Sequence, residues 1–152
     1  MNMRFRRNES FRYTFNTPVE CHFKIIKING IPVESEFGSG KIMDISPHGL
    51  KMMSFLNLLV ANKKLKLEVH FMLEEYFFQI PGEVVWQQKI FQNNSYLYGI
   101  QFHHIEEISE KIIEIIKTHV RKTVNPEIGE SRYEKNQHEE SSDKGIFFTK
   151  NK

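Results

Sequence analysis

Leu65, Leu67, Val69 and Phe71 alternate with Lys66, Glu68 and His70. A strand sends successive side chains to opposite faces, so this period of two predicts one face in a core and the other in water. The chain on either side reads the same way. Pro18 to Ile28 is rich in β-branched and aromatic residues and ends at Asn29-Gly30, a hairpin-turn dipeptide. A strand and a turn follow; Gly38-Ser39-Gly40 breaks the chain before Lys41 to Ile45, and Pro47-His48-Gly49 turns it into Leu50 to Phe55. Tyr76 to Ile80 continues through a bend at Pro81-Gly82 into Glu83 to Trp86, and Tyr96 to Phe102 ends the series. About six short strands with regular turns predict a mainly β fold, an antiparallel barrel that closes to remove its exposed edges.

After the last strand the period changes. Ile105, Ile108, Ile112, Ile115, Ile116 and His119 recur at helical spacing, with glutamates and Lys117 between them. This stripe predicts a C-terminal amphipathic helix packed on the barrel, with a partner or a second copy as the alternative occupant of its face. Residues 123–152 are polar and of mixed charge, and a disordered tail is expected there, interrupted by Ile146-Phe147-Phe148. The expected division is a flexible arginine-rich arm over 1–15, a barrel plus helix over 16–122, and the tail. A chain of 152 residues suffices for one domain with its own core. Its single cysteine, Cys21, excludes an internal disulfide and reads as a buried thiol in a reducing cytoplasm. No apolar run approaches the roughly 18 residues of a membrane span, and none follows the N-terminal arginines, so neither membrane insertion nor secretion is expected.

The charge is local. The net value is only +2, too small for bulk affinity to nucleic acid, yet four of the six arginines, Arg4, Arg6, Arg7 and Arg12, fall in the first twelve residues. A guanidinium offers a planar fork to phosphate oxygens and to the O6/N7 edge of guanine, whereas an ammonium is a point charge. Some thirty residues on stands Asp44-Ile45-Ser46-Pro47-His48-Gly49, in which Asp44 is one of two aspartates in the chain. A carboxylate accepts from guanine N–H groups, a hydroxyl donates or accepts, and a glycine admits close approach. Arginine arm and turn together suit an anionic guanine nucleotide. Taken separately, the arginines make a solvated basic terminus, and Asp44 and Ser46 a local turn before Pro47.

Catalytic readings fail on geometry. Gly38-Ser39-Gly40-Lys41 lacks the first glycine, the hydroxyl residue and the helix of a phosphate-binding loop. Asp44, Ser46 and His48 are too close in one turn to act as orienter, nucleophile and base. No enzyme is expected. His103-His104 has no partner at metal-ligand spacing and reads as a pair of strand-end histidines. Trp86 is expected in the core or under the helix, with base stacking as the alternative.

In order and spacing, Arg6-Arg7 with Phe11-Arg12, then Asp44 to Leu50, Gly82-Glu83-Val84-Val85-Trp86, and Tyr98-Gly99-Ile100-Gln101-Phe102 resemble a PilZ domain over roughly residues 4 to 120. The resemblance implies a six-stranded PilZ-type barrel that binds cyclic di-GMP as its ligand, without cofactor, metal or catalysis, and changes the surface shown to a protein partner. It assigns phosphates and guanine edges to Arg7 and Arg12 with Arg6 in support, the rest of the bases to Asp44 and Ser46, and a flat surface to Gly49. Arg7 and Arg12 enclose four residues where the family pattern has three. That departure leaves open a barrel of the same type that binds no nucleotide and serves as a protein-interaction module. A single-stranded nucleic-acid binder is a third possibility, because Phe5, Phe11, Tyr13 and Phe15 interleave with the arginines; the carboxylate of Asp44 opposes it.

Overall fold

The computed structural model describes residues 11–103, 106–124 and 148–150. In chain order the elements are β1 (Tyr13–Ile28), β2 (Ile31–Pro32), β3 (Gly38–Ser46), β4 (Gly49–Ser54), β5 (Leu65–Leu73), β6 (Tyr76–Ile90), β7 (Ser95–Phe102), the helix α1 (Glu106–Val124) and β8 (Phe148–Lys150). Six of the strands form a closed antiparallel ring, β1-β3-β4-β7-β6-β5 and back to β1. Two long strands make closure possible. β1 pairs with β3 through its first part and with β5 through its second, and β6 passes likewise from β5 to β7. Gly82 and Glu83 are the β6 residues paired on both sides, so the bend expected at Pro81-Gly82 is the corner where β6 changes partner.

The alternation in β5 decides the inside. Leu65, Leu67, Val69, Phe71 and Leu73 are all buried, facing Phe23, Ile42, Ile45, Met52, Phe78 and Tyr98 across the barrel core. One end is plugged by α1, whose Ile108, Ile112, Ile115 and Ile116 are buried in the same cluster. Polar contacts fix the plug. Ser109 Oγ donates to the carbonyl of Pro47 at 3.1 Å, and the carboxylate of Glu74 lies 2.7 Å from His119 Nδ1 and 2.8 Å from Lys122 Nζ. Glu106 and Glu107 in the first turn and Arg121 and Lys122 in the last complement the helix dipole. His119, counted with the apolar stripe, therefore anchors the helix through Glu74, with its ring edge-on to Tyr13 and Phe15.

Several boundaries differ from the expectations. Gly38 and Gly40 do not break the chain but lie within β3, where a Cβ would press on Phe23 and Leu56 at Gly38 and on Met52 at Gly40. Tyr13 to Phe15, expected in the arm, already belong to β1, and Pro18 is accommodated in the irregularity between Thr14 and Val19, where no ladder hydrogen bond is required of it. Thr123 and Val124 complete α1, and Phe148–Lys150 pair with Tyr76–Phe78 as a short edge strand. The rest of the expected tail, including Ile146 and Phe147, lies outside the described residues, as do Ile105 and His104. Asn29 and Gly30 form the expected turn, with φ of 51° and 83°. The β5–β6 turn uses Glu74 and Glu75 at φ of 51° and 72°. Burial would push the Glu74 carboxyl up; the bonds from His119 and Lys122 outweigh it and hold it below its ordinary value.

Candidate functional site

Asp44 reaches the outer surface of the barrel because β3 is irregular. Ile42 and Ile45 are both fully buried although three residues apart, which strict alternation forbids. The β3–β4 register shifts between Ile42 and Asp44, and the extra residue, Met43, turns Asp44 and Ser46 outward while Ile45 returns to the core. Arg12, immediately before β1, lies over this point. Its Nη1 donates to Asp44 Oδ1 at 2.5 Å, and Lys51 Nζ on β4 lies 3.4 Å from Asp44 Oδ2. The carboxylate is 7% exposed and the Arg12 side chain 45%, so a buried anion is covered by a half-exposed cation.

Ser46 and Gly49 close the turn. Ser46 Oγ donates to the carbonyl of Gly49 and accepts from the backbone N–H of His48, both at 3.3 Å. Gly49 is required by packing: a Cβ there would drive into the Ile100 carbonyl oxygen of β7. The flat surface expected of this glycine is thus set first by the approach of two strands. Beside the turn, the pairing of β6 with β7 shifts between Val84 and Trp86. Val84 is buried, but Val85 and Trp86 are both exposed, at 51% and 41%. The extra residue sends Trp86 outside, correcting the expectation of a core or helix-packed tryptophan. Its indole lies on bare backbone at Gly99, where a Cβ would overlap Nε1.

These groups surround one cavity of about 480 Å³, lined by Arg12, Asp44, Ser46, His48, Gly49 and Lys51 on one side and by Val85, Trp86, Gly99, Ile100 and Gln101 on the other. The volume suits a small organic ligand. The structure thus brings together Arg12, Asp44, Ser46 and Gly49, while Arg6 and Arg7 lie outside the described residues. His48 also lines the cavity. Lys51 and Gln101 were not singled out from sequence. Gln101 shares a face with Gly99 by simple alternation, a legible signal, whereas the proximity of Lys51 to Asp44 depends on the irregularity at Met43. The cavity offers two cations, one carboxylate, a hydroxyl and an exposed indole, a set that can bind an anionic group and a flat hydrogen-bonding ring together.

His103, immediately after β7 and two residues from Gln101, is half-buried and donates its backbone N–H to the Pro81 carbonyl. Burial, then the charge of Lys66, depresses its imidazole pKa. No helix among the described residues is long and apolar enough to cross a membrane.

Comparison with known proteins bears on this arrangement. No curated protein matches the chain. Among solved structures, the PilZ domain with c-di-GMP of YcgR from Escherichia coli superposes with a TM-score of 0.53 at 12% identity, covering 76% of this chain and 95% of that one. At such identity the likeness is one of fold, and it agrees with the closed six-stranded barrel. The model of the PilZ domain matches residues 5–117, from the arginine arm through most of α1. The chain belongs to the PilZ domain family.

Proposed function

We propose that this chain is a cytoplasmic receptor for cyclic di-GMP that has no catalysis of its own and changes the surface it shows to a protein partner when the ligand binds. The observation that carries the reading is the convergence of Arg12, Asp44, Ser46, Gly49 and Trp86 on one cavity. In the free protein Arg12 and Asp44 neutralise each other. A cyclic dinucleotide offers both a better partner: phosphate oxygens or the guanine O6/N7 edge to the guanidinium, and guanine N–H donors to the carboxylate. Breaking the existing pair costs about 1 kcal/mol or less, because its cation is half exposed. Each new charge-assisted hydrogen bond contributes about 1.5–3 kcal/mol. Three or four of them, with a base stacked on Trp86 at about 1–3 kcal/mol, contribute about 6–15 kcal/mol, a range that spans the roughly 8 kcal/mol of a micromolar complex before the arm's ordering cost is subtracted.

Arg6 and Arg7 complete the proposed clamp. Five residues of extended chain span up to about 17 Å, so Arg7 can fold back to the cavity from Arg12 even with the additional residue between them. Closure of the arm is also how the ligand would reshape the partner-facing surface. Titration calorimetry with cyclic di-GMP tests the reading. Saturable binding is expected, weakened at least about tenfold, or 1.4 kcal/mol, by Arg12→Ala and by Asp44→Ala. Absence of both heat and thermal stabilisation at high ligand concentration would overturn it.

One observation favours a second reading, a PilZ-type interaction module that binds no nucleotide: Arg12, Asp44, Ser46 and Gly49 already satisfy one another. A partner that co-purifies equally with wild type and with Asp44→Ala, in the absence of nucleotide, would support that alternative.

A further inference from the structure

The barrel has two unlike ends. One is plugged by α1, at the Pro47 and Glu74 turns. At the other are the turn after β1, the β4–β5 loop and the β6–β7 hairpin, and there the side chains point the wrong way for a protein in plain water. Phe91 is 79% exposed, Phe55 66%, Ile31 65% and Leu59 61%, the four largest exposures among the large hydrophobic side chains described. For Phe55 and Phe91 the closeness follows from the register. Ser54, Tyr96 and Lys89 lie side by side on β4, β7 and β6, so Phe55 and Phe91 extend just beyond the same level, two strand spacings or about 10 Å apart.

The loop that carries two of these side chains is held in place. The Tyr98 hydroxyl donates to the Leu56 carbonyl at 2.6 Å and accepts from the Leu58 backbone N–H at 2.8 Å, and Gln87 Nε2 donates to Asn57 Oδ1 at 2.9 Å. Leu59 is held at φ 53°. Glycine or asparagine would occupy that conformation at lower cost, so neither folding nor solubility accounts for an exposed leucine there.

Charge accompanies the apolar tips. From Ile45 to Leu67 and from Val84 to Ile105 the chain contains no aspartate or glutamate. Lys63 and Lys64 are exposed in the β4–β5 loop, and the Lys89 ammonium lies 5.4 Å from the centroid of the Phe91 ring. Lys27 belongs to the same end through the pairing of β1 with β2, whose connection to β3 brings Glu34 and Glu36 as the opposing charges.

The geometry points to a docking surface for an anionic lipid bilayer. The β6–β7 hairpin and the β4–β5 loop press Phe91, Phe55 and Leu59 into the head-group boundary, and Lys63, Lys64 and Lys89 meet lipid phosphates. Projecting apolar tips beside lysines match a boundary that is apolar below and anionic above, as at the inner face of a cytoplasmic membrane. The contact is peripheral and needs no spanning segment. It is also independent of nucleotide binding, because Arg12 and Asp44 are on the barrel wall.

Co-sedimentation of the full chain with vesicles tests this surface, using phosphatidylcholine alone and an equal mixture of phosphatidylcholine and phosphatidylglycerol. Wild type is expected to pellet with the mixed vesicles only, and less at high salt. F55S/F91S should weaken binding at least about tenfold with little change in melting temperature, since both rings are already in water. K63Q/K64Q should weaken it and flatten its salt dependence, a second route to the answer should the first variant misfold. Failure of wild type to pellet with anionic vesicles, or equal pelleting of F55S/F91S, would overturn the proposal. So would a wild-type dimer that becomes monomeric in F55S/F91S, which would make the tips an interface between copies.

Discussion

Replacing Gly49 with alanine separates two roles that this glycine can play, in the ligand surface and in the barrel wall. A Cβ at this position would press into the Ile100 carbonyl oxygen and stand 3.4 Å from Gln101 Cα. Both obstacles are backbone, so no side chain can swing aside. Ordinary contact requires β4 and β7 to part by about 1 Å. The opening falls at Gly49↔Gln101, the first β4 residue of a ladder that runs to Ser54↔Tyr96, and it also pulls on the turn that Ser46 closes. Overpacking of this kind costs about 1–3 kcal/mol. For a domain of this size the melting temperature should therefore fall by roughly 3–12 °C. Gly30→Ala is the calibration, because Gly30 has φ 83° and open space around it, leaving only backbone strain of about 1 kcal/mol. Thermal unfolding by far-UV circular dichroism, with nucleotide titrations well below the transition, measures both roles. If Gly49→Ala melts with wild type while nucleotide binding is lost, the packing argument is refuted.

Trp86→Ala should cost under about 1 kcal/mol of stability at this exposed position but weaken nucleotide binding about tenfold, within the 1–3 kcal/mol of a base–aromatic stack; a large loss of stability with unchanged affinity would reassign the indole to the core. Glu74→Gln should destabilise by about 1–2 kcal/mol near neutrality. Because the folded carboxyl titrates below its unfolded value, this stabilisation is complete above the ordinary carboxyl value of 4.5 and is lost as the pH falls through the lower folded value. Urea titrations near pH 6 and pH 3 check the sign, and an equal difference at both would contradict it. Burial, with Glu20 adding to it, pushes the Cys21 thiol up to about 12, so iodoacetamide should leave it unmodified in the native protein and label it fully in denaturant. Native labelling at the rate of a free thiol would show that β1 opens.

Where strands keep strict alternation, the sequence was a sufficient guide. The period of β5 identified its inward face, and the isoleucine spacing of α1 placed Ile108, Ile112, Ile115 and Ile116 in the core. The chemistry of Asp44, Ser46 and Arg12 was also legible, since their types and order carry it, and the structure adds that they meet. What was not legible depends on backbone irregularity. Alternation from Val84 places Trp86 inside, and only the register shift after Val84 brings it out. The Glu74-Glu75 turn contains no glycine, asparagine or proline; it is held by tertiary bonds from α1, which no local propensity reports. The glycines of β3 read as a break because their crowded neighbours, Phe23, Leu56 and Met52, come from other parts of the chain.

The irregular step between Val84 and Trp86 means that the outward face of the indole follows from its pairing with Gly99 rather than from its count along the strand. Removing Val85 alone would deprive the cavity of one of its lining side chains and restore alternation, with Trp86 directly after the inward Val84 and still outward opposite Gly99. The only tryptophan of the chain would then stay open to acrylamide quenching. In an evolving lineage a one-codon deletion at this point would leave the indole facing the cavity while shortening the Gly82-to-Trp86 spacing by one, so spacing alone would describe such a descendant as broken.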